Sequence, residues 1–170
     1  MKKIIIINGY PRSGKDLFAE YLKQILHSQY KIKTTIISSV QQVKKAAELL
    51  GWNGEKTEIN RNALSDLKDL STKYWDGPFN LISSHIRQMG DNECLVFMIR
   101  EPAEIKKVAN DFPQTITVFI ENKNSIKADN HADSNVENYD YDFKLNNNKT
   151  KEDLFELTNT FIKVVLYGRE

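Results

Sequence analysis

Four short apolar runs punctuate the chain: Ile4-Ile5-Ile6-Ile7, Thr34-Thr35-Ile36-Ile37, Leu95-Val96-Phe97-Met98-Ile99 and Thr115-Ile116-Thr117-Val118-Phe119-Ile120. None alternates cleanly with polar residues, and β-branched side chains dominate them. Such runs predict strands covered on both faces, as in a parallel sheet. Between them the period lengthens. From Asp16 to Gln29, the residues Leu17, Phe18, Tyr21, Leu22, Ile25 and Leu26 place one apolar stripe on a helix. Val40 to Leu50 is helical by composition and Gly51 is its stop. Arg61 to Lys73 and Phe79 to Met89 read as two more helices, separated by the breaker Trp75-Asp76-Gly77-Pro78. Ala103 to Asn110 is a short helix opened by Pro102. In the last helix Thr150 caps, Asp153 falls at N3, and Leu154, Leu157, Phe161, Ile162 and Val165 form the inner face.

Strands and helices therefore alternate, which predicts a three-layer α/β/α domain with a mostly parallel sheet of about five strands and right-handed crossovers. The fifth strand is Asp142 to Asn146. No repeat or linker divides the chain, so residues 1–170 are expected to form one domain. The polar stretch 122–142 breaks the alternation. It carries Lys123 and Lys127 against Asp129, Asp133, Glu137, Asp140 and Asp142, a balance of 2 − 5 = −3. A loop of this length inside a compact domain is usually functional or mobile.

Composition narrows the function. The chain has 170 residues, 40% apolar and 28% charged, with 24 Lys+Arg against 23 Asp+Glu for a net charge of +1. That is an ordinary globular make-up with no field to hold a polyanion, so nucleic-acid binding is not expected. No stretch approaches the length of a membrane span, and the four isoleucines are too few for a signal segment. The single cysteine, Cys94, lies in an apolar run and reads as a reduced core residue, which points to the cytoplasm. His27, His85 and His131 lie on separate stretches, and His131 with Asp133 supplies too few ligands for zinc.

The chemistry is concentrated after the first strand, in Gly9-Tyr10-Pro11-Arg12-Ser13-Gly14-Lys15-Asp16. Glycine, four residues, glycine and lysine between a strand and a helix is the phosphate-loop pattern. Successive backbone N–H groups and the helix N-terminus form an anion cradle, the glycines allow close approach, and Lys15 reaches the outer phosphates. The bland alternative is a glycine turn capping a helix. Asp16 stands where Ser or Thr normally meets Mg²⁺. Its carboxylate can hold that ion, directly or through water, or serve only as a first-turn acid favoured by the helix dipole.

Arg12-Ser13-Gly14-Lys15-Asp16 resembles the loop of phage-type deoxynucleoside monophosphate kinases, and a Gly-Lys-Asp loop also occurs in animal-type phosphomevalonate kinase. Ile99-Arg100-Glu101-Pro102-Ala103-Glu104-Ile105 resembles the phage-type segment in which a strand ends in Asp-x-Arg before a short acidic helix. The stretch Asp140 to Asn147 resembles their last strand and its Asn-rich exit. The likeness covers about the first thirty residues closely and the last seventy loosely. In two places the sequence departs from the pattern: Met98 replaces the strand-end Asp, and Leu17 replaces a Thr.

The resemblance implies a kinase that moves the γ-phosphoryl of ATP-Mg²⁺ to a small phosphorylated acceptor, with 122–142 as the lid. Gly9, Tyr10, Pro11, Arg12, Ser13, Gly14, Lys15 and Asp16 would bind nucleotide, with Asp16 as the metal residue. Lys15, Arg12, Arg100 and Glu101 are the catalytic candidates. Arg12 can contact the nucleotide or face solvent, Arg100 can neutralise phosphoryl charge or form a surface salt bridge, and Glu101 can substitute for the acid missing at Met98 as a water-mediated Mg²⁺ partner or a base. Arg61 and Asp66 are the acceptor-side candidates, on a helix whose Lys68 can face the same cleft, and a solvated helix face is the alternative for all three. Trp52, Tyr74 and Trp75 can wall a planar acceptor or simply pack. The alternatives are a nucleotide-binding module without transferase activity and a kinase for another phosphorylated metabolite.

Overall fold

A computed structural model describes residues 2–55, 57–125 and 135–168. The strands are β1 (Lys2–Asn8), β2 (Lys33–Ser38), β3 (Glu93–Met98), β4 (Thr115–Glu121) and β5 (Phe143–Asn146). The helices are α1 (Lys15–Tyr30), α2 (Gln41–Leu49), α3 (Glu58–Trp75), α4 (Gly77–Arg87), α5 (Pro102–Asp111) and α6 (Lys151–Tyr167). The sheet order is β2-β3-β1-β4-β5, with every pairing parallel. β1 is thus the central strand, and all strand C-termini open on one edge.

The isoleucine run divides its side chains between two layers. Ile4 and Ile6 join Leu95, Phe97 and Phe119 beneath Ile82 and Ile86 of α4 and Ile105 and Val108 of α5. Ile5 and Ile7 join Val96, Val118 and Ile120 beneath Phe18, Leu22 and Ile25 of α1 and Leu154, Phe161 and Ile162 of α6. Phe18 and Phe161 meet with ring centroids 5.5 Å apart. Each such side chain contributes about 1.5–3 kcal/mol when fully buried. The strand leading into the glycine loop is therefore clamped on both faces.

Helix ends follow local chemistry. Thr150 and Asp153 form a reciprocal capping box at the start of α6. α1 stops at Lys31, whose left-handed φ of 56° ends the helix without a glycine. The expected breaker at residues 75–78 is sharper than the pattern indicates. Asp76 alone, at φ 52°, separates α3 from α4, while Gly77 and Pro78 already occupy the first turn of α4. Proline fits there because a first-turn N–H has no helical partner.

α3 departs most from a packed helix, since none of its residues is buried. Its connection to the body is partly ionic. Lys68 Nζ lies 3.3 Å from Glu104 Oε2 and 3.8 Å from Glu101 Oε1, both at the start of α5. Asp76 pairs with Lys107 one turn further along α5, and the Lys107 ammonium also lies 4.3 Å from the Phe79 ring centre. Lys68 and Glu104 are nearly buried, with side-chain exposures of 12% and 11%. Burial raises the Glu104 carboxyl above its ordinary range, more than Lys68 and Ser39 lower it.

Two outcomes follow from this packing. Burial pushes the Cys94 thiol up to about 12, so it should resist a thiol reagent in the native protein and react fully in denaturant; native reactivity would remove Cys94 from the core. The Glu104 carboxyl binds its proton more tightly folded than unfolded. The stability it contributes is complete below the ordinary carboxylate range, about pH 4.3, and is lost as pH rises through the raised value. Glu104→Gln keeps the neutral form, so its urea midpoint should gain on wild type as pH rises across that window, and a constant difference would refute the shift.

Candidate functional site: a phosphate loop at the central strand

β1 ends at Asn8, and its side chain starts the site. Asn8 Oδ1 accepts from the Gly9 N–H at 2.8 Å, while Nδ2 donates to the Arg100 carbonyl at 2.9 Å and to the Tyr141 hydroxyl at 2.8 Å. One buried amide thus joins the ends of β1 and β3 to the segment before β5. Tyr141 in turn donates to the Val136 carbonyl at 2.7 Å. That segment is tied to β4 as well, because Asp142 Oδ2 accepts from the Thr117 N–H and hydroxyl at 2.7 and 2.8 Å.

Gly9 is required where it stands. A Cβ there would lie 2.6 Å from the Ile120 carbonyl oxygen and 2.7 Å from Ser13 Oγ, contacts that ordinary side chains do not make. The loop then turns tightly. Ser13 N–H donates to the Tyr10 carbonyl at 3.1 Å, and Arg12 adopts φ 64°. Gly14, at φ 90°, caps α1. Lys15 opens the helix with only 8% of its surface exposed, and its Nζ donates to the Tyr10 carbonyl at 3.1 Å. The ammonium thus lies across the loop. Ser13 Oγ is buried with no hydrogen-bond partner among the described residues, a donor that a bound anion or water can satisfy.

Tyr10 turns inward rather than toward ligand. It packs edge-on against Phe119 with ring centres 6.0 Å apart. Burial, with the neighbouring Glu137 carboxylate, pushes its hydroxyl up to about 12, so the phenol stays neutral. Arg12 and Asp16 are exposed at the loop and the first turn of α1, and Pro11 is half-buried. Arg100 is exposed, and its backbone is fixed beside the loop by Asn8.

The sequence-derived candidates thus separate into two groups. Gly9 to Asp16 and Arg100 lie together at the C-terminal edge of β1 and β3. Arg61 and Asp66 are exposed on α3, where Lys68 is the residue that reaches Glu101 and Glu104. Glu101 is half-buried at the cap of α5. Tyr74 and Trp75 are exposed, and Trp52 donates through Nε1 to the Glu55 carbonyl at 3.0 Å. Lys127, Asp129, His131 and Asp133 lie outside the described residues. Among the described residues no group of three or more His, Cys, Asp or Glu side chains could hold a metal ion. Among those residues, too, no helix is long and apolar enough to cross a membrane.

Three residues of the site escaped the reading of the sequence as individuals: Asn8, Tyr141 and Asn147. Asn8 had one signal, a polar residue closing an otherwise apolar strand. Asn147 sits in the Asn-rich exit from β5, and its amide donates to the Ser13 carbonyl at 2.9 Å.

No protein-family model matches the chain, and no curated protein matches it. Solved structures do. The APS kinase of Mycobacterium tuberculosis in complex with AMPPNP and APS superposes with a TM-score of 0.56 at 11% identity, over 96% of this chain and 97% of the other. A sugar kinase from a Janibacter species gives 0.54 at 10% identity, over 96% of each chain. Shikimate kinase from Aquifex aeolicus gives 0.51 at 13% identity, over 98% and 99%. At these identities the likeness is one of fold alone, the three-layer α/β architecture that this chain shares with them.

Proposed function

We propose that this protein is an ATP-dependent phosphotransferase for a small molecule, with a (deoxy)nucleoside monophosphate as its acceptor. The observation that carries the reading is the loop itself. A glycine that admits no Cβ, a left-handed turn, a helix N-terminus and a nearly buried Lys15 lie in sequence at the end of the central strand. Such a loop is suited to polyphosphate and has little else to do chemically. The nucleotide-bound state of the similarly folded APS kinase supports the same ligand class. The phage-kinase likeness of Arg12 to Asp16 supports the nucleotide acceptor.

In this reading residues 9–15 and Lys15 Nζ hold the phosphates of ATP. Asp16 is the acid placed to take Mg²⁺, a metal whose chemistry here is to neutralise and orient phosphate oxygens. Arg12 and Arg100 supply further positive charge to the phosphoryl oxygens, and Glu101 is the nearest acid after Met98. Arg61 and Asp66 face the acceptor from α3. Residues 1–170 act as one cytoplasmic kinase domain, with 122–142 as a lid over the nucleotide that excludes water. Its two described ends are anchored, the first through Asn122 and Lys123 to the exit of β5 and the second through Tyr141 and Asp142. Rate enhancement would come from positioning and electrostatics rather than from a covalent intermediate.

The test is ADP release from ATP-Mg²⁺ across the common nucleoside and deoxynucleoside monophosphates. Acceptor-dependent release with at least one of them is expected. ATP binding with no transfer to any leaves a nucleotide-binding module, a reading that Met98 favours, or a kinase of another phosphorylated metabolite. Lys15→Ala should lower turnover by about 10²-fold or more and weaken ATP. Unchanged ATP affinity in that variant would remove the phosphate-loop assignment.

A further inference from the structure

The Asn147 amide touches the phosphate loop at its backbone. Its Nδ2 donates to the Ser13 carbonyl at 2.9 Å, across 134 residues of sequence. The Ser13–Gly14 peptide is trans, as are all peptide bonds described. In a planar trans peptide the C=O and N–H point in opposite directions. Whatever holds the Ser13 carbonyl therefore also aims the Gly14 N–H.

Gly14 and Asn147 are a matched pair. A Cβ on Gly14 would lie 2.2 Å from Asn147 Nδ2, so a side chain at 14 would displace the amide. Asn147 is itself held on both sides. Its N–H donates to the Glu121 carbonyl at 2.8 Å, and its carbonyl accepts from Asn122 Nδ2. Its neighbour Asn148 accepts from the Lys123 N–H at 2.6 Å and does not bond the loop. The ends of β4 and β5 thus fix one amide against one peptide group of the loop.

We propose that Asn147 is the positioning residue of the phosphate loop. By holding the Ser13 carbonyl outward it presents the Gly14 N–H to the anion, and so sets affinity for polyphosphate. This rests on the phosphate-loop reading above. The reason the bond matters is a sign change: a flipped peptide would offer an anion a carbonyl oxygen in place of a donor. A contact that only packed the β5 exit would not alter anion affinity in a folded protein.

The experiment measures binding of inorganic tripolyphosphate and of ATP by calorimetry to wild type, Asn147→Ala, Asn147→Asp and Asn148→Ala. Thermal melts of each report folding. Asn147→Ala should weaken both ligands by about tenfold, the loss of one aligned charge-assisted donor. Asn147→Asp keeps the shape, cannot donate, and adds a negative charge beside the loop, so it should weaken them further. It also serves if the alanine variant fails to fold. Asn148→Ala should bind as wild type. Wild-type affinity in a folded Asn147 variant, or an equal loss in Asn148→Ala, overturns the role of Asn147 and leaves the loop assignment standing. If wild type binds neither ligand, the loop assignment falls and this inference with it.

Discussion

The structure depends on one constraint, the direction in which a few peptide groups face between residues 9 and 15. Backbone donors bind an anion only if they converge, and a chain does not converge them without being held. Gly9 is pressed so close to the Ile120 carbonyl that no side chain fits. Ser13 is tied by its N–H to Tyr10 and by its carbonyl to Asn147. Asn8 ties off the Gly9 N–H before the loop begins. Each of these contacts satisfies an outward-facing group and thereby limits how the loop can turn.

Those restraints come from different strands, and the sheet order explains why they can meet. β1 lies between β3 and β4, so the ends of both neighbours flank the loop. The β3 end brings Arg100 within reach of Asn8. The β4 and β5 ends bring Asn122 and Asn147 to the far side. A parallel sheet collects strand C-termini on one edge, where ligands of open α/β folds bind. The two apolar layers keep this edge rigid, since the four isoleucines of β1 leave it no free face to slide along.

The sequence made the elements legible because period and punctuation agreed. Among the described residues, the five strands and six helices lie where apolar runs and breakers put them, with ends shifted by a few residues. Asp76 shows why the ends shift, for a single left-handed residue separates two helices where four breaker residues invite a longer turn. The loop was legible for the same reason, its spacing being a local property. Asn147 was not legible as a partner of Ser13, because their bond spans 134 residues and depends on the β4–β5 register. The pairing of Lys68 with Glu104 was not legible either: the sequence lets Lys68 face a cleft or solvent, and only the arrangement of the helices brings its ammonium to the carboxylates at the start of α5.

The Lys68 cluster also bears on where positive charge gathers in the fold. Lys68 stands against two carboxyl groups, Glu101 and Glu104. If both are ionised the cluster is negative, and if Glu104 keeps its proton the cluster is neutral. In neither case does it offer surplus positive charge to a phosphate. The positive side chains at the strand edge are Lys15, Arg12 and Arg100, which flank the glycine loop. The surplus of positive side chains therefore lies toward β1 and β3, away from the cluster around Lys68. The near balance of 24 cationic against 23 anionic residues in the whole chain thus conceals local groupings, with Lys15, Arg12 and Arg100 at the glycine loop and two carboxyl groups around Lys68.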